Sequence, residues 1–334
     1  MHVPSAYRLK QAIARLCARY YGGACILYYH RVADVTSDPH GICITPENFR
    51  SHLELLKKYR VESLSSLSQS LQRGKTIKRS IVITFDDGYA DNVFTALPLL
   101  ERYDVPAIFF VAAGFVGGKR EFYWDALEQL ILMPVRIPSQ LILTFDGINI
   151  SWAAHNKKDM CKGSAARKKL HHKLYAALKT KPYEVQQEII SQLCSWSGVE
   201  LQYRETHRQL TEYELRQLAR SGIAEVGGHT VHHAVLSALS PEAQAHEIFE
   251  CKRILEDITE RPIQHFSYPR GRKIHYTHES ISLLKKAGFV SACTTEPGIV
   301  SKYFNAFELP RCRGDNCRAD MLEKKIEAWF RGTW

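Results

Sequence analysis

Ile81-Val82-Ile83-Thr84-Phe85-Asp86-Asp87-Gly88-Tyr89-Ala90-Asp91-Asn92 is an apolar, β-branched run that ends in two adjacent carboxylates and a glycine. A short apolar run stopped by a turn signal reads as a buried strand. One that stops at Asp-Asp-Gly presents charge at its carboxyl end. Neighbouring buried acids repel unless a cation or a proton offsets them. Taken alone, Asp-Asp-Gly reads sooner as an ordinary turn whose first Asp caps the next helix. A second stretch, Glu225-Val226-Gly227-Gly228-His229-Thr230-Val231-His232-His233, follows another candidate strand and shifts that balance. Asp87 with His229 and His233, the latter two at i, i+4, forms the donor set of an open divalent site: three protein ligands leave room for water and substrate. His232 competes as the second imidazole, a choice that leaves His233 without a role. An ion held this way lowers the pKa of its water and polarises a carbonyl oxygen, which suits hydrolysis of an amide or ester. Asp86, beside the ligand, is placed to take the water's proton.

Outward from the central strand, apolar runs alternate with helical patterns. Ala24 to Val32 reads as a buried strand delivering His30 near its end, and Thr45-Pro46 opens a helix as N-cap and first position. A short strand near Val61 and a polar helix from about Ser65 to Arg73 lead into Ile81, and Val105 to Val111 follows as another apolar strand. Later come a capping box at Thr211 and Glu214, a helix from Pro241 to Thr259, the strand Ile263 to Gly271, a helix over 279–287, the strand Phe289 to Thr294, and a closing segment Phe307 to Arg311. Repeated strand, helix and strand define an α/β class with a parallel sheet. Between about 121 and 208 the composition turns Lys-rich and helical, with Trp124, Trp152 and Trp196 and a hairpin signal at Asp146-Gly147. This reads as an insertion between core units. Trp124, at its start, is a candidate for contact with a sugar, although its tryptophans equally suit the insertion's own small core.

The 334 residues, 45% of them apolar, suffice for one large barrel or two ordinary domains. Nine cysteines, an odd number without C-x-x-C spacing, argue against both a disulfide framework and a thiolate zinc site. The amino terminus has no long apolar core and no window reaches a membrane span, so the expectation is a cytoplasmic protein with reduced thiols. Residues 1–23 form a basic amphipathic segment that suits either an anionic membrane surface or simple solvation, and residues 24–334 form the main domain. A formal charge of +10 calls for acidic partners such as phospholipid headgroups or diphosphate-linked sugars. With no zinc-finger spacing, RRM signature or Walker loop, nucleic acid is not expected.

The segments TFDDGYADN, EVGGHTVHH and FSYPRG, in that order, resemble the NodB-type polysaccharide deacetylases of carbohydrate esterase family 4. The resemblance covers roughly residues 24–115 and 210–312 and implies a distorted (β/α) barrel carrying a helical insertion. It implies Asp86 as general base and Asp87, His229 and His233 as ligands of a divalent metal, usually zinc. The Tyr-His-Arg-Val at 28–32 is similar to the circularly permuted branch, which makes His30 the general acid. By the same likeness Arg311, in Leu-Pro-Arg, orients Asp86; Tyr268 and Pro269 lie in a groove wall; and the backbone amide of Arg270 helps hold the oxyanion. Two positions depart from the family: Ala234 stands where proline is frequent, and Arg270 where an aromatic is common. The implied activity is removal of acetyl groups from N-acetylated sugars of a glycan or of a lipid- or nucleotide-linked precursor, peripheral to the inner membrane face. The alternatives are an O-acetyl esterase on the same fold and a carbohydrate-binding protein without turnover.

Overall fold

The computed structural model describes residues 22–77 and 79–333. The basic segment expected over 1–23 therefore lies, up to residue 21, outside the described residues. Chain contacts define two compact units, one running to Gly118 and resuming at Gln209, the other Lys119–Arg208.

In the larger unit the main sheet contains β1 (Ala24–Tyr29), β4 (Arg60–Val61), β5 (Ser80–Phe85), β6 (Ala107–Val111), β9 (Ala224–Gly228), β10 (His265–Ser267), β11 (Ser291–Cys293) and β12 (Cys312–Arg313). Its order is β11-β10-β9-β6-β5-β1-β12, with β4 added on β5, and every pairing is parallel. Leu309, just before β12, makes a parallel bridge to Cys293 of β11, so the segment that ends the order also touches its beginning. The sheet is thus curled toward a barrel. A two-stranded pair, β2 (Arg31–Val32) with β3 (Cys43–Ile44), lies off the main sheet.

Alternation along the strands sorts two cores. Cys25, Leu27, Ile81, Ile83, Phe85, Phe109 and Val111 pack outward under the helices, whereas Ala24, Ile26, Val82, Ile108 and Phe110 form the inner cluster. The inner space is narrow: a Cβ on Gly227 would fall 2.5 Å from Phe110 and 2.9 Å from the His265 carbonyl. Helices begin where the sequence supplies caps. Thr45 caps Pro46–Leu56, Ser63 caps Leu64–Gln72, and Thr211 with Glu214 completes a capping box on Glu212–Arg220. Pro241–Thr259 is found as expected, and the helix expected over 279–287 spans His278–Lys286.

The late strands are shorter than their apolar runs, trimmed at both ends. Ile263 to Gly271 contributes only His265–Ser267, and Phe289 to Thr294 only Ser291–Cys293. The closing segment at 307–311 pairs through a single bridge at Leu309, and the strand proper begins at Cys312.

The smaller unit contains the antiparallel hairpin β7 (Gln140–Phe145) and β8 (Ile148–Ala153), with helices over Tyr123–Leu127, Ala165–Leu178 and Tyr183–Ser197. Both turn residues, Asp146 and Gly147, have positive φ, as a two-residue hairpin turn requires. Eight described cysteines are free. Among the described residues no helix is long and apolar enough to cross a membrane.

Candidate active site

Strand register decides which side chains meet. Tyr29 pairs with Phe85, and the Asp86 amide donates to the Tyr29 carbonyl at 3.0 Å, so His30 and Asp86 leave neighbouring strands at one level. By alternation Asp86 follows Val82 and Thr84 inward, whereas Asp87 should face the outer core. A left-handed backbone at Asp87, φ 80°, turns it back. Gly88 continues the turn at φ 83°, where a Cβ would sit 2.9 Å from Val111. On the facing strands Val111 pairs with Gly228, and the His229 amide donates to the Val111 carbonyl at 3.1 Å. Thr230 and His233 are also left-handed, at φ 63° and 55°, as is Arg270 at 64°. Four of the seven described non-glycine residues with positive φ therefore lie in the candidate motifs. Such conformations persist only where surrounding contacts over-determine them.

The HTVHH turn is held by a residue the sequence analysis did not single out. Glu247, buried on the helix Pro241–Thr259, accepts the amides of Val231 at 2.8 Å and His232 at 2.9 Å, and its other oxygen takes His232 Nδ1 at 2.8 Å. The Thr230 hydroxyl accepts the Ala234 amide at 3.0 Å. His232 is thereby turned toward Glu247, and the imidazoles of His229 and His233 face Asp87.

Asp87 Oδ1 lies 3.4 Å from Nε2 of both His229 and His233. It is buried and makes no hydrogen bond. All three ligand atoms fall within 4.8 Å of one another. An orphaned carboxylate oxygen facing two imidazole nitrogens fits a divalent cation, because leaving such a group dry and unpaired is costly. His229 Nδ1 donates to the Ser267 carbonyl at 2.7 Å, which leaves the Nε2 lone pair aimed at the cluster. Burial pushes His233 well below its ordinary range despite the opposing pull of Asp87, so its imidazole is neutral and able to ligate. Burial acts to raise Asp87, but His229, with His233 and His30, outweighs it and holds the carboxyl low.

Asp86 is gripped by Arg311, Nη1 to Oδ1 at 2.8 Å and Nη2 to Oδ2 at 2.7 Å, a bidentate pair with both partners buried. The remaining guanidinium donors reach the Thr294 carbonyl at 2.8 Å, the Thr84 hydroxyl at 3.0 Å and the Ser267 hydroxyl at 2.8 Å. All five N–H groups are used, and none is left to distort the pair. Burial would raise the Asp86 carboxyl; Arg311 and the nearby His229 lower it overall, keeping it ionised.

His30 is partly exposed, its imidazole lowered by burial against the opposing fields of Asp87 and Asp86, so it lies within electrostatic reach of both. The loop after β5 clamps its segment. Asn92 donates to the His30 carbonyl at 2.9 Å, while Asp91 accepts Arg31 Nε at 2.9 Å and the Val32 amide at 3.0 Å. These two residues close the TFDDGYADN stretch, yet nothing local in the sequence ties them to His30.

Tyr268 is fully buried, its hydroxyl donating to the Phe307 carbonyl at 3.0 Å and its ring stacked on Tyr276 at 4.1 Å. The Thr295 hydroxyl donates to the Arg270 carbonyl at 2.6 Å, fixing that left-handed residue. Trp124 belongs to the smaller unit, where it is buried and stacked on Phe122 at 4.3 Å.

A curled parallel sheet whose carboxyl ends gather an Asp-His-His cluster beside a guanidinium-held carboxylate belongs to a recognisable class of hydrolase. The family model described as polysaccharide deacetylase matches residues 73–152 and 170–292, more than half of the sequence, and the chain belongs to that family. The match runs through most of the Lys119–Arg208 unit, which the motif resemblance had left outside, and does not extend back to His30. Among curated proteins the chain is 22% identical over 291 residues to YxkH of Bacillus subtilis (strain 168), assigned there to the polysaccharide deacetylases; the alignment covers 86% of this chain and 70% of that one. Solved structures with the same fold include the Streptococcus pyogenes deacetylase PplD in complex with acetate, at TM-score 0.58 and 18% identity, covering 91% of this chain and 98% of that one. IcaB from Ammonifex degensii matches at TM-score 0.57 and 17% identity, covering 92% and 97%.

Proposed function

We propose that this polysaccharide deacetylase is a metal-dependent N-deacetylase, releasing acetate from N-acetylated sugars. The observation that carries the reading is the buried, hydrogen-bond-free Asp87 oxygen facing His229 and His233, one residue from a carboxylate locked by Arg311. A divalent ion held by Asp87, His229 and His233, zinc by family resemblance, would supply Lewis-acid polarisation and a water ionisable near neutral pH. Asp86, kept ionised and oriented by Arg311, accepts the proton of the attacking water. The backbone amide of Arg270, in its fixed left-handed turn, is the donor toward the developing oxyanion. His30 protonates the departing amine, a step that an amide needs far more than an ester does.

As substrate we take a lipid-linked or nucleotide-linked glycan precursor at the cytoplasmic membrane face. The formal charge of +10 supports this choice, since the linking diphosphate is anionic. Trp124 would contribute through the packing of its own unit. The test is acetate release from N-acetylglucosamine oligomers and from a nucleotide-linked N-acetyl sugar, measured before and after exhaustive chelation. Turnover should vanish with the ion and return on adding zinc. Turnover that persists in the fully metal-free protein would end the proposal, and metal binding with no turnover on any acetylated sugar would favour a binding protein.

A further inference from the structure

Charge in this protein is not spread evenly. Between His155 and Lys181 there are nine Lys or Arg residues and one Asp, a net +8 within a chain whose total is +10. Elsewhere, about half of the described lysines and arginines have an ion-pair partner. Lys58 pairs with Glu323, Arg253 with Glu250 and Asp257, Lys273 with Glu308, and Lys325 with Asp315. In the 155–181 stretch Lys181 meets Asp146, whereas Lys157, Lys158, Lys162, Lys168, Lys169 and Lys173 are exposed and, among the described residues, form no ion pair.

The helix Ala165–Leu178 explains how they come together. Arg167, Leu170, His171, Leu174 and Leu178 are buried, so positions 168, 169, 172 and 173 share the outward face. Two exposed aliphatic side chains belong to segments that hydrogen-bond to this stretch. Val135 is 80% exposed, and its carbonyl accepts the Lys162 amide at 3.0 Å. Ile142 is 81% exposed and pairs across the hairpin with Ser151, whose carbonyl accepts Lys173 Nζ at 3.4 Å. Every one of these contacts lies within the smaller unit.

From this geometry we propose that the Lys119–Arg208 unit carries a docking face for an anionic phospholipid bilayer. The argument is charge complementarity, with exposed aliphatic side chains on the segments bonded to the lysine-rich stretch. Unpaired lysines are attracted by anionic headgroups, while aliphatic side chains standing out of a basic face enter the headgroup boundary. Nucleic acid is the poorer match. It would call for aromatic platforms on the face, and Trp152 and Trp196 instead pack on each other at 6.3 Å. The inference goes beyond the proposed chemistry and is tested without it.

The full-length protein is sedimented with phosphatidylcholine vesicles, with or without a minority of phosphatidylglycerol, across a salt series. Binding should require the anionic lipid and weaken as salt rises. Joint replacement Lys162→Glu, Lys168→Glu, Lys169→Glu, Lys173→Glu should weaken it by at least about tenfold, the same four changed to Gln by less. Val135→Ser with Ile142→Ser should lower binding while leaving its salt dependence in place. Circular dichroism checks folding, and if the Glu set fails to fold the Gln set carries the test. Undiminished binding by folded Lys variants, equal binding to neutral vesicles, or tighter binding to duplex DNA than to anionic vesicles would each overturn the proposal.

Discussion

Ser267 touches both halves of the candidate site. Its carbonyl fixes the tautomer of His229, and its hydroxyl accepts one arm of Arg311. Replacing Ser267 with Ala removes only the hydroxyl and leaves one guanidinium N–H buried without a partner. We expect a loss of about 1–3 kcal/mol in urea unfolding, with zinc affinity little changed because the carbonyl remains. A large loss of metal affinity would show that the two halves are coupled through the hydroxyl. His30 tests a different link. His30→Ala should lower N-acetyl turnover by roughly 10²–10⁴-fold and O-acetyl ester turnover by much less, read as kcat on matched substrates. Equal losses would remove His30 from the role of acid. The sequence presented His30, Asp86 and Arg311 as letters in motifs. It gave no sign of Ser267, whose value comes from hydrogen bonds to residues 38 and 44 positions away.

The HTVHH turn is an element with no regular secondary structure and with two left-handed non-glycine residues, Thr230 and His233. For a β-branched residue such as Thr that backbone is strained, and local propensity does not predict it. Glu247 offsets the strain by accepting two backbone amides and orienting His232. Glu247→Ala should lower zinc affinity by about 10–100-fold, the range typical of lost outer-shell support. Glu247→Gln retains an oxygen for the amides and should fall between; isothermal titration of the metal-free protein measures both. A metal affinity untouched by Glu247→Ala would mean that the turn holds its shape unaided. Helix starts were more legible than this turn, since Thr45, Thr211 and Ser240 cap through bonds only three residues long. The late strands were less so: their apolar runs extend past the point where the backbone leaves the ladder.

On the scale of the whole molecule, burial of neutral histidines makes folding depend on pH. Burial lowers His265, whose ring nitrogens bond Ser65 and Ser291, and His171, each from 6.5 to about 4. A histidine lowered in the folded state binds its proton first in the unfolded chain. Its contribution is therefore intact above about pH 6.5 and is lost as pH falls toward 4, by on the order of 3 kcal/mol per group. Urea unfolding of the metal-free protein should show stability dropping through that window, and His265→Asn should flatten part of the slope; an unchanged slope would exclude His265. The amino-acid sequence by itself determined the donor types, the alternation of strand and helix, the caps and the hairpin turn, because each depends on side chains a few residues apart. Only the tertiary structure decided that Asp87 would turn back from the outer core and that Glu247 would brace the HTVHH turn, and it joins Arg311 to Asp86 across 225 residues, a meeting that only the family resemblance had implied. Those outcomes follow from strand register and sheet curvature, and both arise from packing among segments too distant in the chain for any local pattern to encode.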